Sequence, residues 1–423
     1  MATSLSQSEK RDDQPEDFPV AINVIQSVEC DESGVAYPHV ITRLLEDGIM
    51  TLLSMSGSSR AELKTSPVTL DALTIGNHQP CVANQTVAVY CKVQIDPQGQ
   101  NPHPTFQLRI VCTQSGNLIA DSNIQISRGD ILDIAVWPPS QASENSMPDI
   151  DGKVILMCRF TAQHRGQAGH INIQNFAQSA QDACRHVATL LGVPRTEQIT
   201  PVSEKIRFRA EMHPGDIAIV RCALQHTEQR HWMVSGEMIR VRDNATVCQF
   251  QKTFQLGKEQ NSALPIDHPS LLEKLPIDLN DIPVAETIWG PRETYRGTVE
   301  PLEVDMHLNL STRALWDKLT RALWSVQNAL GANRDVMIEH KLAGGASMFQ
   351  LQFHEPIKLG TPVVINSRVH GCGTSSLRMQ HEVSDARDNK VLVVANYVLT
   401  FFDRTTGKRA PVPTFMLKQL NAA

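Results

Sequence analysis

The stretch Ser311 to Leu330 reads STRALWDKLTRALWSVQNAL. Leu315, Leu319, Ala322, Leu323, Val326 and Leu330 recur at helical spacing and lay one apolar stripe along a helix. Ser311 suits the N-cap, and Gly331 suits the C-terminal stop. Thr294 to Glu303 (TYRGTVEPLE) leads in as a strand running into a loop. Four runs follow the helix: MFQLQF (348–353), PVVINSRV (362–369), SLRMQHEV (376–383) and VLVVANYVLTFFD (391–403). Their alternation is that of half-buried strands, so one helix precedes an antiparallel meander.

Upstream the pattern recurs. KVILMCRF (153–160) precedes a helix carrying Ile173, Phe176, Ala180, Ala183, Val187 and Leu190, stopped by Gly192. The runs KIRFRAEM, IAIVRCAL, HWMVSGEMIRV and TVCQFQKTF follow. VAINVIQSVEC (20–30) precedes a helix with Val40, Ile41, Leu44, Leu45, Ile49, Leu52 and Leu53, stopped by Gly57. TVAVYCKV, TFQLRIVC and LIADSNIQI come after it. The stops Gly57, Gly192 and Gly331 are almost evenly spaced, which marks a repeat at domain scale. The expected organisation is a disordered tail over 1–17, units over 18–136, 153–255 and 293–415, linkers over 137–152 and 256–292, and a C-terminal tail over 416–423. Both linkers are rich in proline and turn residues.

The 423 residues suit this division, at roughly 150 residues per domain. Hydrophobic residues make up 41% and charged residues 20%, an ordinary core-forming composition. With 39 Lys+Arg against 45 Asp+Glu the net charge is −6, so the basic excess of a nucleic-acid surface is missing. No apolar run approaches the roughly 18 residues of a transmembrane helix. The acidic N-terminus lacks a signal-peptide core, and the expected location is the cytoplasm. Nine cysteines without a CxxC pair read as free thiols rather than disulfides or a zinc site. No GxGxxG, P-loop, GxSxG or HExxH is present, which removes support for nucleotide, serine-hydrolase and zinc-protease chemistry.

A long helix wrapped by an antiparallel sheet resembles the hotdog fold, an α+β architecture. Local sequences are similar to its acyl-CoA/acyl-ACP thioesterase branch, typified by 4-hydroxybenzoyl-CoA thioesterase. In the third unit, EVDMHLN (303–309) resembles the acid-x-Asn-x-His-x-Asn loop. LGTPVVINSRVHGCGTSSLRMQHEV (359–383) and FFDRTTGKRAPVP (401–413) resemble the third strand with its hairpin and the last strand with its exit. GHIN (169–172) resembles the GHVN element, and CDESGVAYP (30–38) the hydroxybenzoyl-type loop. The resemblance implies three tandem hotdog units. An odd count pairs completely only across two chains, which implies a homodimer with three hotdog pairs.

Thioester hydrolysis needs a carboxylate to activate water or attack directly, and a donor to polarise the carbonyl. A helix N-terminus offers free N–H groups for the second task. The resemblance places Glu303 at the catalytic acid, Asp305 at the first Asn, His307 at the His and Asn309 at the second Asn. Asp305 in place of Asn sets two carboxylates close together, which raises the pKa of one. Asp317 is a second candidate acid on the helix. The bland alternative is a polar loop with an N-cap and a solvated helix acid. In the second unit His170 and Asn172 are kept, but Gly166 stands where the acid belongs; Asp182 supplies an acid from the helix, or the copy is structural. In the first unit Asp31 aligns with the catalytic Asp of its loop, with Glu46 on the helix, and a turn Asp is the alternative. Arg404, Lys408 and Arg409 form a basic cluster suited to CoA phosphates or the acidic face of a carrier protein, or a solvated turn.

The expected function is hydrolysis of an acyl-CoA or acyl-carrier-protein thioester to a carboxylic acid and a thiol, in fatty acid or polyketide metabolism, with no metal or cofactor. A hotdog dehydratase or hydratase acting on 3-hydroxyacyl thioesters is one alternative. A non-catalytic acyl-thioester-binding protein is the other.

Overall fold

A computed structural model describes residues 19–25, 29–30, 33, 35–55, 70–94, 105–126, 154–160, 164, 171–190, 192–194, 197–226, 231–256, 275, 277, 279–283 and 285–421. Asp31, His170, Gly166 and the linker 137–152 lie outside the described residues. The chain folds as two compact units. The first comprises 1–22, 38–80 and 87–137, and the second 23–37, 81–86 and 138–423.

The leading strand is β1 (Pro19–Val24), and helix α1 (Pro38–Met55) follows it. Strands β2 (Leu70–Asn77), β3 (Thr86–Gln94), β4 (Thr105–Cys112) and β5 (Leu118–Ile126) come next. In the first unit β3, β4, β5 and β2 pair antiparallel in that order. The stripe read on α1 is the buried one: Val40, Leu44, Leu45, Ile49 and Leu52 are at most 1% exposed. Gly48 lets α1 lie close on the sheet, since a Cβ there would sit 2.9 Å from Val89 Cγ1. Strand β2 is an addition to the three runs legible after this helix.

The second unit contains two further strand–helix–four-strand passes. One is β6 (Val154–Arg159), α2 (Ile173–Leu190), β7 (Ile199–Phe208), β8 (Ile217–His226), β9 (His231–Arg240) and β10 (Ala245–Leu256). The other begins with β11 (Trp289–Thr298), a 3-10 turn (Pro301–Glu303) and α3 (Thr312–Ala329). A short helix α4 (Arg334–Glu339) then precedes β12 (Leu342–Phe353), β13 (Pro362–Cys372), β14 (Ser376–Asp385) and β15 (Val391–Asp403), and α5 (Thr414–Asn421) closes the chain. Strand β11 starts inside the segment read as a linker. Most of its side chains are exposed, so in sequence it looks like a polar loop. Residues 416–423, read as a tail, include most of α5, whose Met416 and Leu420 are buried.

These strands form a sheet in the order β11-β13-β14-β15-β12-β7-β10-β9-β8-β6, with antiparallel neighbours throughout. The join between the passes is β12–β7, in register from Met348↔Arg207 to Gln352↔Ser203. Helices α2 and α3 pack together on this sheet. A row of rings crosses the join: Phe160–Phe176 at 5.7 Å, Phe176–Phe208 at 5.6 Å, Phe208–Phe349 at 6.5 Å and Phe349–Trp316 at 4.5 Å between centroids. Burying such side chains contributes about 1.5–3 kcal/mol each, so the two passes share one core. That sharing makes one compact unit of what the sequence suggests are two.

Candidate functional site

The loop between β11 and α3 is built by its own polar residues. Glu300 caps the 3-10 turn, and its N–H donates to Glu303 Oε2 at 3.0 Å. Glu303 Oε1 accepts from Lys318 Nζ at 2.6 Å. Lys318 also donates to the Tyr295 hydroxyl at 3.0 Å, and its side chain is only 3% exposed. Burial alone would lower the Lys318 pKa. The hydrogen bonds to Glu303 and Tyr295 and their charges outweigh it, so the pKa is raised and the ammonium persists. Glu303, the acid assigned from sequence, is thus the partner of a buried cation.

Asp305 closes the next turn. Its Oδ1 accepts from the N–H groups of His307 (2.9 Å) and Asn309 (3.0 Å). Leu308, between them, takes the left-handed conformation at φ 58°. Asp305 Oδ2 has no hydrogen bond among the described residues. His307 Nε2 and Asn309 Oδ1 are buried and have no hydrogen-bond partner among the described residues. Ser311 then caps α3, accepting from Ala314 N at 3.3 Å, as its sequence position suggests. The loop therefore holds a tethered carboxylate and two unsatisfied polar atoms beside a helix N-terminus. Such atoms are costly to bury unless something else bonds them.

Helix α2 supplies the facing charges. Arg185 Nη1 donates to the Glu197 carbonyl at 2.8 Å. Burial lowers the Arg185 pKa, opposed by the negative charges of Asp305, Asp182 and Glu197. One guanidinium is thus under the field of a loop acid from one pass and a helix acid from the other. Asp182 accepts from Gln178 Nε2 at 2.8 Å. Asn172 stands just before α2, with its N–H on the His164 carbonyl. Asp317 lies on the outer side of α3 in a pair with Arg321 at 2.7 Å. Glu46 is exposed on α1 in the first unit. Arg404, Lys408 and Arg409 are exposed on the turn after β15, which Asp403 organises by accepting from Thr405 and Thr406 N–H.

Sequence reasoning passed over Lys318, Tyr295 and Arg185. Lys318 had a readable signal, since it falls three residues after Leu315 and so on the apolar stripe. Among the described residues no cluster of three or more His, Cys, Asp or Glu is suited to a metal ion. All nine cysteines are free thiols, and only Cys372 is exposed. No described helix is long and apolar enough to cross a membrane.

Residues 299–420 match the family model of the thioesterase-like superfamily. The chain is similar in structure to 12:0-ACP thioesterase from Umbellularia californica, with 11% identity and a TM-score of 0.44 over 57% of this chain and 92% of that one. An acyl-ACP thioesterase from Bacteroides thetaiotaomicron gives 7% identity and a TM-score of 0.43, over 57% and 96%. A 1,4-dihydroxy-2-naphthoyl-CoA thioesterase from Synechocystis gives 16% and 0.28, over 30% and 93%. No curated protein matches the chain.

Proposed function

We propose that this chain, whose residues 299–420 match the thioesterase-like superfamily, hydrolyses an acyl thioester of CoA or of an acyl-carrier protein. The supporting observation is the 305–309 loop: a carboxylate whose Oδ1 accepts from two backbone N–H groups, next to two buried polar atoms without a partner among the described residues. In this reading Asp305 Oδ2 takes a proton from water, and the water oxygen attacks the thioester carbonyl carbon. His307 Nε2 and the first-turn N–H groups of α3 stabilise the oxyanion. The C–S bond then breaks, and the thiolate leaves and takes up a proton. Glu303 serves as the structural partner of the buried Lys318 ammonium, and Asn309, Asp182 and Arg185 line the site. Arg404, Lys408 and Arg409 are assigned to the phosphates or acidic surface of the carrier.

The test is product analysis by mass spectrometry on a panel of acyl-CoAs, then acyl-carrier proteins. Asp305→Asn is expected to lower kcat by at least about 100-fold, the usual range for losing a general base. Glu303→Gln alone would strand the Lys318 charge, so its loss of activity would be ambiguous. The double variant Glu303→Gln/Lys318→Met removes the pair together and is expected to keep most of the activity. The opposite pattern, with the double variant dead and Asp305→Asn active, would return the catalytic role to Glu303. Dehydrated or hydrated thioesters as products would favour the dehydratase reading, and binding without turnover the non-catalytic one.

The same proposal includes three tandem hotdog units and a homodimer of chains. Sedimentation at micromolar concentration is expected to give twice the chain mass. A clean monomer removes the dimer from the proposal.

A further inference from the structure

The tip of the candidate loop is tied to the rest of the chain by a residue of the first pass. The far end of the loop is fixed by Leu310 N–H on the Ile357 carbonyl (2.7 Å) and Ser311 N–H on the Glu303 carbonyl (2.8 Å). Asp305 Oδ1 gathers the N–H groups of His307 and Asn309 from within. None of these bonds joins Met306 or His307 to another segment. Among the described residues, the hydrogen bond that does so comes from Asn84, whose Nδ2 donates to Met306 Sδ at 2.8 Å across 222 positions of sequence.

Asn84 sits in a turn that is itself anchored. Gln85 N–H donates to the Val82 carbonyl at 3.1 Å, which closes a four-residue turn with Asn84 third. Asn84 takes the left-handed conformation there, at φ 59°. Glycine meets that backbone requirement at least cost; asparagine meets it and keeps a side chain. Asn84 N–H donates to the Ile25 carbonyl at 2.8 Å, and Ile25 N–H to the Gln85 carbonyl at 2.9 Å. Thr86, 0% exposed, bonds His186 on α2 at 2.9 Å. His186 is the neighbour of Arg185, the guanidinium under the field of Asp305. Residues 81–86 accordingly belong to the second compact unit, although the chain on either side of them belongs to the first. The turn is thus pinned to the helix that faces Asp305, and it presents an amide to the loop tip. A thioether is a weak acceptor, so the bond adds little to stability. Its consequence is where it leaves the tip.

We propose that Asn84 is a positioning residue for the candidate site: by holding Met306 it fixes the tip of the 305–309 loop and so places the His307 imidazole against the thioester. This rests on the thioesterase reading above. His307 carries the buried, unpartnered Nε2 next to Met306. A shift of the tip moves that atom, and a displacement of about 1 Å costs up to about 100-fold in rate.

The experiment is a double-variant cycle on the full chain. Asn84→Gly keeps the left-handed turn and removes the amide. Met306→Leu keeps an apolar side chain of similar volume and removes the sulfur. Steady-state kinetics use the best thioester of the panel above, and hydrogen exchange by mass spectrometry follows the 306–309 amides. Each single variant is expected to lower kcat about tenfold with KM within about twofold, at an unmoved urea midpoint. Both should exchange 306–309 faster. The double variant should be no worse than the worse single one, because both remove the same tie. Unchanged kcat in either single variant, losses that multiply in the double variant, or losses that track a lowered urea midpoint would each overturn the proposal. If the parent chain hydrolyses no thioester, the hydrolase reading falls, and exchange alone decides whether Asn84 holds the loop. Equal turnover by parent and variants refutes the role of Asn84 and leaves the hydrolase reading standing.

Discussion

Lys252→Met is expected to lose about 3–5 kcal/mol of unfolding free energy in urea, the usual cost of stranding one half of a buried ion pair. Lys252 on β10 and Glu204 on β7 are direct cross-strand partners. Their Nζ and Oε1 atoms are 3.2 Å apart, with side chains 4% and 1% exposed. Their surroundings are apolar enough that burial pushes the Cys184 thiol up to about 12 and raises the Cys248 thiol as well. Burial also raises the Glu204 pKa, against the pull of Lys252. Without the ammonium, the carboxylate must either stay charged in that environment or take a proton. Strand β7 is also the one that pairs with β12, so the loss falls on the join between the passes. The pair itself need not be stabilising relative to an apolar core. Glu204→Leu/Lys252→Met keeps the volume and removes both charges, and is expected to return to within about 1 kcal/mol of the parent or above it. A single variant that loses less than about 1 kcal/mol would mean that water reaches the pair and the argument fails.

Both residues obey a pattern visible in the sequence. In TVCQFQKTF, Lys252 has the same parity as Phe250 and Phe254, which are both buried. Glu204 stands two before Ile206, which is 0% exposed. A charged residue at an inward position asks for a partner, but the sequence does not name it. The β10–β7 register does. The helices were legible because their stripes are local: Ser311, the Leu315–Leu330 series and Gly331 sit within one run of chain. The strand pairing β12–β7 was not legible, because every strand offers the same backbone groups and only the third dimension selects among them. The site divides the same way. The 303–309 loop could be found by its residues and their place before α3. The roles inside it could not, because the partner of Glu303 lies fifteen residues further on and Arg185 belongs to another pass.

Mild acid is expected to weaken the second unit through two histidines that no charge accompanies. His381 is 0% exposed, and burial lowers its pKa to about 3. His186 on α2 is 6% exposed and bonds Thr86 Oγ1 at 2.9 Å, with a pKa lowered by burial to about 4. Both are near 6.5 in the unfolded chain. Below that value the unfolded state binds more protons than the folded one, so stability falls as pH falls. The contribution is complete above about pH 6.5 and is lost progressively toward pH 3–4, at up to about 1.4 kcal/mol per pH unit for each histidine. Between pH 6.5 and 4.5 the two together would remove up to about 5 kcal/mol. Glu204, whose pKa is raised, works in the opposite sense as it protonates, so the total slope alone is not diagnostic. Slopes of single variants are. His186→Gln and His381→Gln should each be less stable at pH 7 but lose less stability on acidification, measured by urea unfolding at half-unit steps. His381 Nδ1 lies 2.6 Å from Ser367 Oγ, and His381→Gln keeps a hydrogen-bonding group for it, which limits the loss at pH 7. If either variant retains the full acid slope, the imidazole it replaced takes up its proton as readily in the folded protein as in the unfolded chain, and burial is not what holds it neutral.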